Sequence, residues 1–265
     1  AYLLQTLLDL SPDARDRQRL ASHLRLFRRH PQLGWRRRGH EHLHPWPAAL
    51  GYDVLFTDIQ IQHVGYCDLK LAQRKLRRNL RLLNMDFAVA PDDPSVLIDL
   101  GYAHAQLGKT VEARKYMHAV LNDPRPMPFL RRRAFSTLGE IETSEGNFAA
   151  AAQLLALALA ENPGEEYLLY MYSEALYNLG RHDEAKAALV QILQQSPKHD
   201  CFLIGGPSDI RTRLARLALG EVLRVDRALP EAESILLGVV DDFPSDPTAW
   251  YFLGRVYMDW REWGK

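Results

Sequence analysis

Residues 166–197 read EYLLYMYSEALYNLGRHDEAKAALVQILQQSP, and this stretch decides the fold. Apolar residues recur at helical spacing before and after Gly180, and Pro197 ends the pattern. The reading is two helices joined by a tight glycine turn. Ser173, in the first helix, faces a small residue, Ala185, in the second. Small side chains there let the two helices approach closely.

The same arrangement extends outward in both directions. Tyr172-Ser173 stands where Leu100-Gly101, Leu138-Gly139, Leu219-Gly220 and Leu253-Gly254 stand elsewhere, at spacings of 38, 34, 47 and 34 residues. Ala113, Ala151, Ala185 and Ala232 each follow their marker by 12 residues. Gly108, Gly146 and Gly180 supply the inter-helix turns, and Pro163, Pro197 and Pro244 close their repeats. A period of about 34 residues with these features resembles the tetratricopeptide (TPR) repeat. The two long spacings have visible causes, insertions at residues 122–128 and 202–207. Four full helix pairs are expected over residues 91–244. A fifth opens at Asp246 with Trp250, Leu253, Gly254 and Tyr257, leaving Trp260 and Trp263 partly exposed.

Such stacks present the first helix of each pair on their inner side, where partner segments bind. In the third repeat the inner positions are Tyr167, Tyr170, Glu174, Tyr177 and Asn178. These side chains either receive an extended protein or peptide segment or a sugar ring, or pack between adjacent helices.

Composition removes several function classes. Lys plus Arg total 33 and Asp plus Glu total 33, so no net charge draws the chain to nucleic acid or an anionic membrane. The basic run at residues 15–38 has few aromatics interleaved and reads as a solvated face. Cys67 and Cys201 are far apart and fit no thiolate zinc spacing, which favours a reducing, cytoplasmic compartment. No stretch approaches the roughly 18 apolar residues of a membrane span. The chain opens on a strand-like segment without methionine and stops within a helical pattern, as expected of a piece of a longer protein.

Before Pro91 the pattern is mixed. Strands are expected at residues 2–8, 20–27 and 54–64, the last with Ile59, Ile61 and His63 on one face and Gln60, Gln62 and Val64 on the other. A basic helix then runs from Leu69 to Val89. His40-Glu41-His42-Leu43-His44 matches the zinc-protease pattern His-Glu-x-x-His, which works only on a helix that brings both histidines to one metal. Gly39 before it and Pro45-Trp46-Pro47 after it leave room for barely one turn, so the metalloprotease reading is rejected.

A longer series of residues carries a second resemblance. His23-Leu24-Arg25-Leu26-Phe27-Arg28, Gly34-Trp35, Gly39-His40-Glu41, residues 59–66 (IQIQHVGY), Lys75-Leu76-Arg77-Arg78-Asn79-Leu80 and Leu82-Leu83 occur in this order. Together they resemble the C-terminal part of a family 2 glycosyltransferase whose catalytic domain leads directly into TPR repeats, over roughly residues 19–108. The departures are the arginines Arg36, Arg37 and Arg38 beside His40-Glu41, and Cys67-Asp68 after the Gly-Tyr pair.

The resemblance implies a mainly α chain: a TPR α-solenoid preceded by a small α/β remnant of a GT-A-like domain. It divides the chain into a catalytic remnant at 1–68, a connecting helix at 69–90 and the repeats at 91–265. It also implies a bacterial enzyme using a nucleotide-sugar donor and a divalent metal, Mn or Mg, held by an Asp-x-Asp motif. That motif is absent here, so this chain alone is expected to be inactive. Inverting transfer needs a carboxylate to take the acceptor proton; Glu41 is the candidate, oriented by His40. His63 is the candidate metal or diphosphate contact, and Arg25, Arg28 and Lys75 the candidate donor-phosphate contacts. For Lys75 and Arg78, one turn apart on the helix, the favoured role is to fasten the helix to the catalytic domain. The alternative from another class is a non-catalytic TPR scaffold for protein–protein interaction.

Overall fold

The computed structural model describes residues 1–9, 18–38, 42–44, 47–63, 68–125, 128–195 and 209–260. The described residues form two compact units, one built on Ala1–Ile141 and the other on Glu142–Pro197 with Asp209–Lys265.

The first unit begins with strands β1 (Tyr2–Asp9), β2 (Gln18–Leu26), β3 (Gly34–Arg36), β4 (His42–His44) and β5 (Leu55–His63). β1 is central in a three-stranded sheet, antiparallel to β2 and parallel to β5. The expected apolar face of β5 is open, with Ile59 50% and Ile61 38% exposed. β3 and β4 form a separate antiparallel hairpin. Three-residue strands are too short to carry a periodic signal, so the sequence gives no hint of this hairpin.

Helix α1 spans Leu69–Val89, as its sequence predicts, and its boundaries have local causes. The Asp68 side chain accepts from the backbone N–H groups of Lys70 and Leu71, satisfying donors the first turn leaves unpaired. At the other end Pro91 cannot continue the helix. Asp93 then caps α2 (Pro94–Gln106), whose first residue is a proline. α1 packs on α2 through Leu76, Leu80, Leu83 and Phe87, around Val96 and Leu100. Arg78 on α1 is exposed and donates to its neighbour Asn79. α3 (Thr110–Leu121) completes the first pair.

The second pair is α4 (Pro128–Ser144) and α5 (Phe148–Glu161), the third α6 (Glu166–Asn178) and α7 (His182–Gln194), the fourth α8 (Ala215–Val225) and α9 (Leu229–Asp242), and α10 (Pro247–Trp260) opens a fifth. A π-helical turn, Ile210–Leu214, leads into α8. Helices stand at every position expected for the four pairs and the half pair. One core runs through the second unit, from Leu169 and Leu176 through Leu189, Leu219 and Leu236 to Val256. Trp260 is half-buried against it, while Trp263 and residues 202–207 lie outside the described residues.

The small positions are small for steric reasons. Ala113, Ala151, Ala185 and Ala232 are all 0% exposed. A Cβ on Gly101 would lie 2.8 Å from Met117, and one on Gly220 2.6 Å from Leu236. Ser173 fits the same place by turning its hydroxyl onto the Tyr170 carbonyl, 2.7 Å away. A Cβ on Gly254 would meet nothing within 4 Å.

The turns also repeat. Gly108, Gly146 and Gly180 all have φ between 70° and 78°. At Gly180 the turn closes through Gly180 N–H to Tyr177 O and Arg181 N–H to Leu176 O. The fourth repeat makes the same two bonds at Arg227 and Ala228, with Arg227 held at φ 63°. A side chain with a Cβ is strained there by ~1 kcal/mol. Arg227→Gly is therefore expected to stabilise the chain by about that amount. An unchanged urea-unfolding midpoint would contradict the strain.

Candidate functional site

The transferase-like residues are only partly placed. His40 and Glu41 lie outside the described residues. His44 sits in β4, paired with Gly34, so the helical one-turn spacing that a His-Glu-x-x-His zinc site needs is not formed. His63 ends β5 opposite Leu8. Arg25 is exposed on β2 and Lys75 half-buried on α1. Arg28 lines a cavity of about 370 Å³ with Phe27, Tyr52, Asp53 and Leu55. The structure does not bring Arg25 or Lys75 to that cavity's lining. Among the described residues no three His, Cys, Asp or Glu side chains converge to hold a metal.

What holds the hairpin end in place is a buried charge cluster the sequence did not reveal. Arg37 has φ 73°, and its side chain is only 9% exposed. Its Nη1 lies 2.9 Å from Asp99 Oδ2 and donates to Ser95 O at 3.1 Å. Asp86 accepts from the Arg38 backbone N–H at 3.0 Å and from Arg38 Nη1 at 3.0 Å. Arg133 reaches Asp99 at 3.2 Å and stacks over the Tyr102 ring. Burial of Asp86 and Asp99 is tolerable because each faces two guanidiniums.

The stronger site lies in the second unit, where the first helices α6, α8 and α10 are neighbours. All five expected face residues are on α6. Tyr167, Tyr170 and Tyr177 are half-buried against the core, so packing accounts for part of each ring, while Glu174 and Asn178 are exposed. Tyr177 donates to Glu221 Oε1 at 2.9 Å and stacks on His182, ring centres 5.4 Å apart. Asn178 donates to the Glu174 backbone carbonyl.

Glu221 occupies in the fourth repeat the place Glu174 holds in the third, 47 residues on. It is 7% exposed and fully engaged: Arg224 grips it with two nitrogens at 2.9 and 3.0 Å, and Arg255 lies 2.9 Å away. Burial opposes its charge, but the hydrogen bonds from Arg224 and Tyr177 and the nearby guanidiniums outweigh burial and hold its carboxyl below the ordinary range. Arg224 also pairs with Asp259 on α10. Register arithmetic alone points to Glu221; its partners appear only once the first helices are side by side.

Glu174 is treated differently. It makes no side-chain hydrogen bond or ion pair among the described residues, and desolvation alone pushes its carboxyl above the ordinary range. Next to it, burial and then the Glu174 charge push the Tyr170 hydroxyl up to about 12, against the pull of Arg213. Arg213 is itself held by Asp209 and, at 3.0 Å, by Asp246. Asp209 Oδ1 is buried without a hydrogen-bond partner.

Comparison with known proteins agrees with this architecture. Residues 142–200 match the family described as "Tetratricopeptide repeat". YrrB, described as a TPR protein with an unusual peptide-binding site, superposes with a TM-score of 0.51 at 17% identity, over 69% of this chain and 86% of its own. A tetratricopeptide repeat protein from Parabacteroides merdae gives 0.57 at 17% identity, over 72% and 70%. PilF of Pseudomonas aeruginosa gives 0.52 at 17%, over 70% and 74%. These likenesses establish the fold and do not bear on a glycosyltransferase domain. No curated protein matches the chain in sequence, and no described helix is long and apolar enough to cross a membrane. Residues 142–200 carry the tetratricopeptide-repeat match, and the helix pairs of the chain have the tetratricopeptide-repeat fold.

Proposed function

We propose that the chain is a protein-interaction module whose α6–α8–α10 face takes up an extended segment of a partner protein. The observation that carries this is the contrast between two equivalent positions, Glu221 locked among three donors and Glu174 left without one beside Tyr170. A preformed network on α8 and α10 fixes one wall of the face, so binding there costs little reordering. Tyrosines on α6 add contact area with few rotors to immobilise. YrrB, a similar fold, is described as having a peptide-binding site. The test is binding of an immobilised library of extended peptides to the full chain. Tyr167→Ala combined with Asn178→Arg should lower retention at least about tenfold, a loss of ~1.4 kcal/mol. Lys186→Ala, exposed on α7, should leave retention unchanged. Equal loss in both variants would overturn the assignment.

The second reading is that the chain is the C-terminal portion of a metal-assisted, nucleotide-sugar-dependent glycosyltransferase, its repeats recruiting the acceptor. It is favoured by the ordered residue series over 19–108, by the mixed sheet that precedes α1, and by the cavity beside Arg28. In this reading Glu41 and His40 serve the acceptor, and Arg25, Arg28, Lys75 and His63 the donor side. The coding sequence upstream of Ala1 decides it: a strand-rich half with Asp-x-Asp supports the enzyme, and a start codon directly before Ala1 removes it.

A further inference from the structure

The small marker position on α10 is open where its counterparts are filled. In the first and fourth pairs the second helix occupies that place: a Cβ on Gly101 would lie 2.8 Å from Met117, and one on Gly220 2.6 Å from Leu236. On α10 a Cβ on Gly254 would meet nothing within 4 Å. The rim of this gap is apolar. Trp250, one turn before Gly254, is 52% exposed, and Met258, one turn after it, is 59% exposed. Leu97, Phe135 and Leu169, which also stand four residues before their markers, are buried. Trp250 is nevertheless fixed, its Nε1 donating to the Pro244 carbonyl at 2.9 Å. Ala249, Leu253 and Val256 of α10 are already spent on the core.

The second helices show what such a gap accepts. Met117, Leu155, Leu189 and Leu236 each stand four residues after Ala113, Ala151, Ala185 and Ala232, so α3, α5, α7 and α9 all carry Ala-x-x-x-Leu or Ala-x-x-x-Met. Small and large side chains one turn apart let a helix come close and then fill the space over a glycine. We infer that α10 takes up an amphipathic helix of a partner protein bearing Ala-x-x-x-Leu or Ala-x-x-x-Met, its Leu or Met seated on Gly254 between Trp250 and Met258. The contact continues by one step the interface already built at Gly101 and Gly220. A second copy has no such helix to offer, because all four Ala and Leu/Met pairs are 0–1% exposed within their own stacks. Nor do these 265 residues hold a further one: α3, α5, α7 and α9 are 12 to 14 residues long, and five residues follow α10. The inference does not rest on the extended-segment reading.

The probe is a fluorescein-labelled 14-residue peptide copying residues 229–242. An isolated helix of this length is marginal in water, so it is held by a lactam between Asp241 and the lysine of Leu237→Lys, both exposed positions on α9. Titrated with the full chain, the peptide should bind saturably by fluorescence anisotropy, and a scrambled peptide should not. Leu236→Ala in the peptide and Gly254→Leu in the chain should each weaken binding at least about tenfold, and Gly254→Leu should not lower the melting temperature of the chain. Tyr167→Ala combined with Asn178→Arg should bind this peptide as the wild type does, which separates the gap from the extended-segment face. No saturable binding, equal binding of the scrambled peptide, binding unaffected by Gly254→Leu, a fall in melting temperature for that variant, or loss of binding in the α6 variant would each overturn the inference. A dimer in sedimentation that Gly254→Leu dissociates would assign the gap to a second copy. Loss of peptide binding on adding to the chain whatever residues its gene encodes after Lys265 would assign it to the same polypeptide. Either result also overturns a partner helix, and all of them leave the extended-segment face to its own test.

Discussion

Replacing Arg37 by alanine is expected to strip hydrogen-exchange protection from α1 and α2 while leaving α6 to α10 protected. Asp86 and Asp99 are 6% and 5% exposed, and Arg37 reaches toward both of them. Without it Asp86 loses one guanidinium beside Arg38, and Asp99 loses one beside Arg133, while both carboxylates stay buried. Breaking a buried pair in this way costs ~3 kcal/mol, because a charge is left poorly compensated and not because the pair itself was strongly favourable. The loss should be local, since repeat stacks are held by nearest-neighbour contacts. Combining Arg37→Met with Asp86→Asn and Asp99→Asn should recover most of the protection. An Arg37→Ala chain with wild-type exchange in α1 and α2 would show that the cluster contributes nothing.

The second large effect is expected at Glu221. Glu221→Ala takes the Glu221 carboxylate from Arg255, leaves Arg224 with Asp259 alone and leaves the Tyr177 hydroxyl unpaired, a loss of ~2 kcal/mol at neutral pH. The pH dependence follows from the depressed carboxyl of Glu221. Its stabilisation is complete above the ordinary glutamate range and disappears as pH falls through its depressed folded value. Melting temperatures of Glu221→Ala and wild type should therefore differ at neutral pH and converge as pH falls toward 3. A difference that stays constant over that range would contradict the role given to the Glu221 charge.

These two sites also mark how far the sequence could be read. The repeat register was visible because Leu-Gly pairs and small alanines mark where helices must touch, and Gly220 against Leu236 gives the physical reason. α1 was visible to its end residues because Asp68 caps it and Pro91 follows it. The five face residues on α6 followed from the same register. Arg227 escaped notice because a search for turn glycines finds glycines, and here the backbone geometry is kept without one. The β3–β4 hairpin and the Arg37 cluster escaped for a different reason. Their partners, Asp86 and Asp99, are 49 and 62 residues away from Arg37, and no periodicity links them. The half-burial of Tyr167, Tyr170 and Tyr177 was likewise not decidable before α8 was placed beside α6. Equivalent positions that are chemically satisfied in one repeat and open in the next are the signal that sequence register alone cannot supply.

The central claim is that the α6–α8–α10 face is the binding surface. Hydrogen-exchange mass spectrometry of the full chain, with and without its best retained peptide, tests it most directly. Added protection should fall on α6, on α10 and on the π-helical turn leading into α8, with α7 and α9 unchanged. Protection confined to α7 and α9, or to the strands of the first unit, would contradict it.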